Sequence, residues 1–128
     1  FYKTLQELLS GARSNYRLDI PNGLAIEMDY NDHRRTERLV NLSTLGASLE
    51  LDTSDNLPRN RAEIKLQLDL PDVVEPLSLR GKVVWIRKVP KDETSQLVKL
   101  GVKFLNLDDN VRDILWHYII SNSPVTST

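Results

Sequence analysis

The chain has 128 residues, 40% hydrophobic and 27% charged, and its 17 basic and 18 acidic residues leave a net charge of -1. This length makes one ordinary domain with a real core, and so even a balance of charge gives no global attraction to nucleic acid or anionic membrane. The lack of cysteine excludes disulfides and thiolate metal sites, and no apolar run nears the ~20 residues needed to span a bilayer.

Tyr2, Leu5, Leu8 and Leu9 recur at helical steps, which predicts a short amphipathic helix closed by Gly11. Because the chain begins at Phe1 rather than Met, residues 1–12 are expected to be a helix and linker from a preceding domain. The stretch G-A-R-S-N-Y-R has no apolar period and reads as an exposed arm. The turn pair Asn22-Gly23 introduces a strand in which Leu24, Ile26 and Met28 alternate with Ala25, Glu27 and Asp29. Y-N-D-H-R-R-T reads as a polar loop before a second strand over Arg38 to Leu42. Ala47, Leu49 and Leu51 make a third strand, and Ile64, Leu66, Leu68 and Leu70 a fourth. Leu77 to Val89 is a long fifth strand in which Gly81 permits a bend or bulge. Val98, Leu100, Val102 and Phe104 alternate in a sixth. The period then changes: Val111, Ile114, Leu115, Tyr118 and Ile119 share one helical face, with Asp108 or Asp109 as N-cap. Residues 122–128 read as a flexible tail. Six strands joined by short connections and a closing helix predict a mainly β, six-stranded antiparallel barrel over residues 13–121, with the helix against one opening.

Little in the chain suggests catalysis. The two histidines, His33 in a polar loop and His117 on the outer side of the last helix, have no zinc-binding spacing. No serine sits in G-x-S-x-G and no phosphate loop is present. The expectation is a binding domain without a resident cofactor, rather than an enzyme.

Two features remain. Residues 41–46 read N-L-S-T-L-G, placing an amide, a hydroxyl and a glycine between two strands. Arginines recur four apart at Arg13 and Arg17 in the arm and at Arg34 and Arg38. Strand alternation predicts that Arg38 and Asn41 project to opposite faces, whereas the arm is free to fold across the barrel. The planar guanidinium fork donates two parallel hydrogen bonds, which suits phosphate oxygens or the O6/N7 edge of guanine.

Together, Arg13-Ser14-Asn15-Tyr16-Arg17 and Asn41-Leu42-Ser43-Thr44-Leu45-Gly46 resemble the paired motifs of the PilZ domain, a bacterial receptor module for cyclic di-GMP. The resemblance covers about residues 10–121 and includes a strand similar to the family's L-G-V-K-F, at Leu100 to Phe104, assigned here to the core. It implies that Arg13 and Arg17 clamp phosphates and guanine edges, that Asn41 and Ser43 meet a guanine, and that Gly46 supplies a turn a Cβ would obstruct. It implies further that ligand binding orders the arm, that the signal passes to a partner protein or fused domain, and that the setting is the bacterial cytoplasm. Three positions depart from the family pattern. Asn41 stands where Asp is commoner, Ala47 replaces a second glycine, and Ala12 replaces an arginine associated with stacked ligand pairs, which favours one ligand molecule per domain.

Two other readings accompany this one: a degenerate PilZ domain working only through protein contacts, and a small barrel that binds single-stranded nucleic acid. The second needs stacking aromatics in a basic groove. Trp85 is its one strand platform, and that residue reads better as core or barrel-mouth packing. Asn41-Leu42-Ser43 also matches a glycosylation acceptor, though nothing else in the chain indicates secretion.

Overall fold

The computed structural model describes residues 16–51, 57–71, 73–92 and 96–122. The expected helix over Tyr2 to Leu9, Arg13 with the arm up to Asn15, and the tail beyond Asn122 lie outside the described residues.

Six strands form: β1 (Leu18–Tyr30), β2 (His33–Leu42), β3 (Gly46–Leu51), β4 (Glu63–Leu68), β5 (Leu77–Pro90) and β6 (Gln96–Phe104). They pair antiparallel in the order β1-β2-β3-β6-β5-β4, and β1 pairs with β4 to close the barrel. The alternating apolar residues turn inward as expected. Ile26 and Met28, Leu49 and Leu51, Leu66 and Leu68, and Val98 and Leu100 are all at most 2% exposed. Closure gives each of the six strands a hydrogen-bonded neighbour on both sides.

The helix α1 spans Asp109–Ser121, and the Asp108 carboxylate caps it by accepting a hydrogen bond from the Asn110 amide. Leu115 and Ile119 are fully buried in the same core as the strands, with Val111, Ile114 and Tyr118 half-buried beside them. Asn122 belongs to the helix end rather than to a tail, because its side-chain amide donates to the Tyr118 carbonyl. The helix follows β6 and lines a groove with Pro71 and Val73, so it covers the end where β4 stops and β5 starts.

Four details differ from the sequence-based expectation. The stretch read as a polar loop, residues 30–36, is mostly strand, and the turn is only Asn31-Asp32, whose φ of 51° and 62° fit a two-residue hairpin. Its polar residues pair with one another. Arg34 lies opposite Asp29 and donates to both carboxylate oxygens, and Arg35 donates to Glu37 at 2.8 Å. Asn22-Gly23 falls inside β1 rather than before it, at an irregularity between Asp19 and Leu24. Gly23 there has φ 70°, and a Cβ would strike the Arg38 side chain.

The third difference is in β5. Gly81 carries no bulge: it faces inward because its Cβ would meet Val102, and the register shifts further on, between Val83 and Trp85. Fourth, β2 slips between Leu39 and Asn41. Leu39 and Leu42 are therefore both fully buried although three residues apart, and Arg38 and Asn41 share the outer face, against the expectation of opposite faces.

Two outcomes follow. Leu115→Ala should cost about 2–5 kcal/mol of stability in urea denaturation, because its cavity lies between helix and barrel. The Arg34 hydrogen bond holds the Asp29 carboxyl below its ordinary range. The small contribution of this exposed pair is present above the ordinary carboxylate pKa and is lost as pH falls through the lowered value. An NMR titration should show the low midpoint of Asp29, and Arg34→Ala should return it to the usual range.

Candidate functional site

The segment between β2 and β3 is built around one hydroxyl. Ser43 Oγ accepts from the amides of Leu45 and Gly46, each at 3.1 Å, and the Ser43 amide donates to the Gly46 carbonyl at 2.8 Å. The serine side chain thereby stands in for a backbone turn, a role open to short hydroxyl residues. The turn is tied to the neighbouring strand by the Phe104 amide, which donates to the Leu45 carbonyl at 2.8 Å. Gly46 lies opposite Lys103, and a Cβ there would run into the Val102 carbonyl. The glycine is required because β6 passes so close, and its φ is not in the left-handed region.

Beside this turn the outer face of the barrel carries small residues. Asn41, Ser48, Gly101 and Trp85 form one transverse row across β2, β3, β6 and β5, with Asp19 at its β1 end. Gly46, Lys103 and Lys82 form the next row. Gly46, Ser48 and Gly101 leave a floor without large side chains. The Trp85 indole leans over Gly101, where a Cβ would strike it. The Arg87 guanidinium sits 5.8 Å from the Trp85 ring centre, within the range of a cation–π contact.

These residues enclose a cleft of about 280 Å³ whose lining includes Arg17, Ser43, Gly46, Ser48, Trp85 and Lys103. Of the residues expected at a ligand site, Arg17, Ser43 and Gly46 meet here. Asn41 adjoins the cleft through its pairing with Ser48 but is not part of the lining, and Arg13 lies outside the described residues. Arg17 is exposed and has no ion-pair partner among the described residues.

The second arginine pair is engaged. Arg34 is held by Asp29 and Glu27, and Arg38 bonds Glu50 at 2.8 Å. A larger cleft of about 540 Å³ at the β1–β2 turn is lined by Arg34 and Arg80, but both already face carboxylates: Asp29 for the first and Glu63 for the second. The smaller cleft sets Arg17, which has no ion-pair partner among the described residues, on the same lining as the Trp85 ring.

The sequence reading gives Ser48, Gly101 and Lys103 no site role, and gives Trp85 one only in the nucleic-acid alternative. Simple alternation from Leu77, Leu79, Gly81 and Val83 turns Trp85 inward. The register shift after Val83 instead leaves both Val84 and Trp85 outside, 46% and 36% exposed. The glycine before Val102 was the available signal, since a strand needs a missing side chain where another ring lies on it.

The fold is shared with solved structures. The PilZ domain of YcgR from Escherichia coli, with c-di-GMP, superposes with a TM-score of 0.70 at 16% identity, over 84% of this chain and 88% of that one. PlzA of Borreliella burgdorferi, in complex with c-di-GMP, gives 0.63 at 12% identity, over 91% of this chain and 54% of that one. The Bacillus subtilis inhibitor of motility MotI gives 0.60 at 19%, over 82% and 48%. The chain thus spans about half the length of these last two proteins. Comparison with curated proteins yields no match. A family model described as the PilZ domain matches residues 12–121, the stretch that bears both motifs and the whole barrel, and the chain belongs to that family.

Proposed function

We propose that this chain is a receptor domain for cyclic di-GMP. The observation that carries the reading is the convergence of two distant motifs on one cleft: Arg17 at the entry to β1, and Ser43 with Gly46 between β2 and β3. The E. coli and B. burgdorferi neighbours, both solved with this nucleotide, support the same ligand class.

In this reading Arg17, with Arg13, donates to phosphate oxygens and guanine edges through the guanidinium fork. Trp85 offers a face on which a guanine stacks. Asn41, on the row above the turn, accepts one guanine N–H through its carbonyl. Ser43 and Gly46 act through the backbone, holding the turn close to β6 so that the floor stays flat. The cleft falls just below the ~300 Å³ of ordinary small-molecule pockets. A dinucleotide therefore stands partly clear of the barrel and offers the arm a surface to fold over, which would relay binding to whatever precedes the arm. A single-stranded nucleic acid site fits less well, because Trp85 is the one exposed large aromatic residue among the described residues.

Calorimetry at micromolar protein should detect cyclic di-GMP, and Arg17→Ala should weaken it by ~10-fold or more, the scale of a charged hydrogen bond. Absence of binding by the unaltered chain would overturn the reading and favour a domain working through protein contacts. Trp85→Leu should cost ~1–3 kcal/mol of affinity, and ligand should alter the indole fluorescence. Ser43→Ala should lower stability by ~1–3 kcal/mol in urea, because two turn amides lose their acceptor. At a temperature where this variant is folded, its affinity should fall less than that of Arg17→Ala.

A further inference from the structure

The outer face of β5 and β6 is unusual for a chain of nearly zero net charge. The two strands hold Arg80, Lys82, Arg87, Lys88, Lys99 and Lys103 and not one Asp or Glu. Three of the six have a neighbour that tempers their charge: Arg80 approaches Glu63 at 3.6 Å, Arg87 lies against the Trp85 ring, and Lys99 is opposite Glu50, which also bonds Arg38.

Two like-charged pairs face each other across the β5–β6 register, Arg87 with Lys99 and Lys82 with Lys103; the second reaches the cleft through Lys103, and neither of its lysines has an ion-pair partner among the described residues. The acid across from Lys82 on its other side is Glu63, whose carboxylate is with Arg80. Facing like charges destabilise a sheet pair. The free barrel therefore carries a concentrated positive spot that an anion would relieve.

That spot is a wall of the cleft already described. Lys103 lines it and pairs in register with Gly46, so the row runs from the floor glycine to Lys103 and then to Lys82. Arg17 lines the opposite side, one residue before Leu18, which pairs with Leu42 of β2. Three strand spacings of ~4.8 Å separate β1 from β6. Both side chains are long enough to lean over a floor of Gly46, Ser48 and Gly101. A ligand with one anionic group would satisfy one side only.

We infer that Lys103, with Lys82 behind it, receives the second phosphodiester of the ligand, so that the nucleotide is held across the cleft between Arg17 and Lys103. This rests on the cyclic di-GMP reading and adds to it a requirement for two anionic groups on opposite edges of one molecule. The arginine arm then supplies one half of the charge compensation and the barrel itself the other half.

The test is titration of the 128-residue chain with cyclic di-GMP, comparing Lys103→Gln, Lys103→Arg and Lys82→Gln with Arg17→Ala over a series of salt concentrations. Lys103→Gln should weaken binding about tenfold and reduce the slope of log affinity against log salt by about one. Lys82→Gln should do the same to a smaller extent, and Lys103→Arg should stay within about threefold of the unaltered chain. Without ligand, Lys103→Gln should melt no lower than the unaltered protein, because it removes a repulsion, which separates lost contact from lost fold. Binding by Lys103→Gln within twofold of the unaltered chain, with Arg17→Ala impaired, would overturn the inference and leave the receptor reading intact. Failure of the unaltered chain to bind would overturn both.

Discussion

Closure of the hydrogen-bonded ring by β1 and β4 is the constraint on which the other features depend. In a closed barrel each strand has two fixed neighbours, so no strand can slide without disturbing the ring. Side chains alternate with period two, so a slip of one residue sends every later side chain to the other face. Apolar residues of suitable volume fill the core, and the leucines of β3, β4 and β6 hold the register there. The outer face can accept local irregularities. Those in β1, β2 and β5 each change which side chains stand outside, and together they assemble the cleft.

The turn over residues 43–46 shows how scaffold and site share the same atoms. Its serine and glycine serve the backbone, one as hydrogen-bond acceptor and the other by leaving space for the Val102 carbonyl. The consequence is an outer surface low enough for a planar ligand to lie on. Charge is arranged just as unevenly. Arg34, Arg38 and Arg80 are each matched by carboxylates, whereas Arg17 and Lys103 line the cleft, and Lys82 faces Lys103, without such partners among the described residues. With a net charge of -1 this is a local field rather than a general one, and it draws an anion to one place.

Much of this was legible in the chain because it repeats. Apolar residues at every second position in Ile64 to Leu68 and Val98 to Phe104 leave no other comfortable arrangement than a half-buried strand. The change to helical spacing at Val111 was as clear. The polar run around Asn31 was misread because its charges satisfy one another across the hairpin, something composition does not reveal. Asn22-Gly23 was recognised as a special backbone position, yet the chain absorbed it inside β1 as an irregularity.

By itself, then, the sequence determined the inward residues of β1, β3, β4 and β6, the helix with its Asp108 cap, and the short motifs around Arg17 and Ser43, since all of these follow from spacing along the chain. Tertiary structure decided that Trp85 faces outward over Gly101, that Arg38 and Asn41 share a side, and that Lys82 confronts Lys103. Those facts depend on hydrogen-bond register between strands distant in sequence. Local periodicity carries no information about where such a register slips.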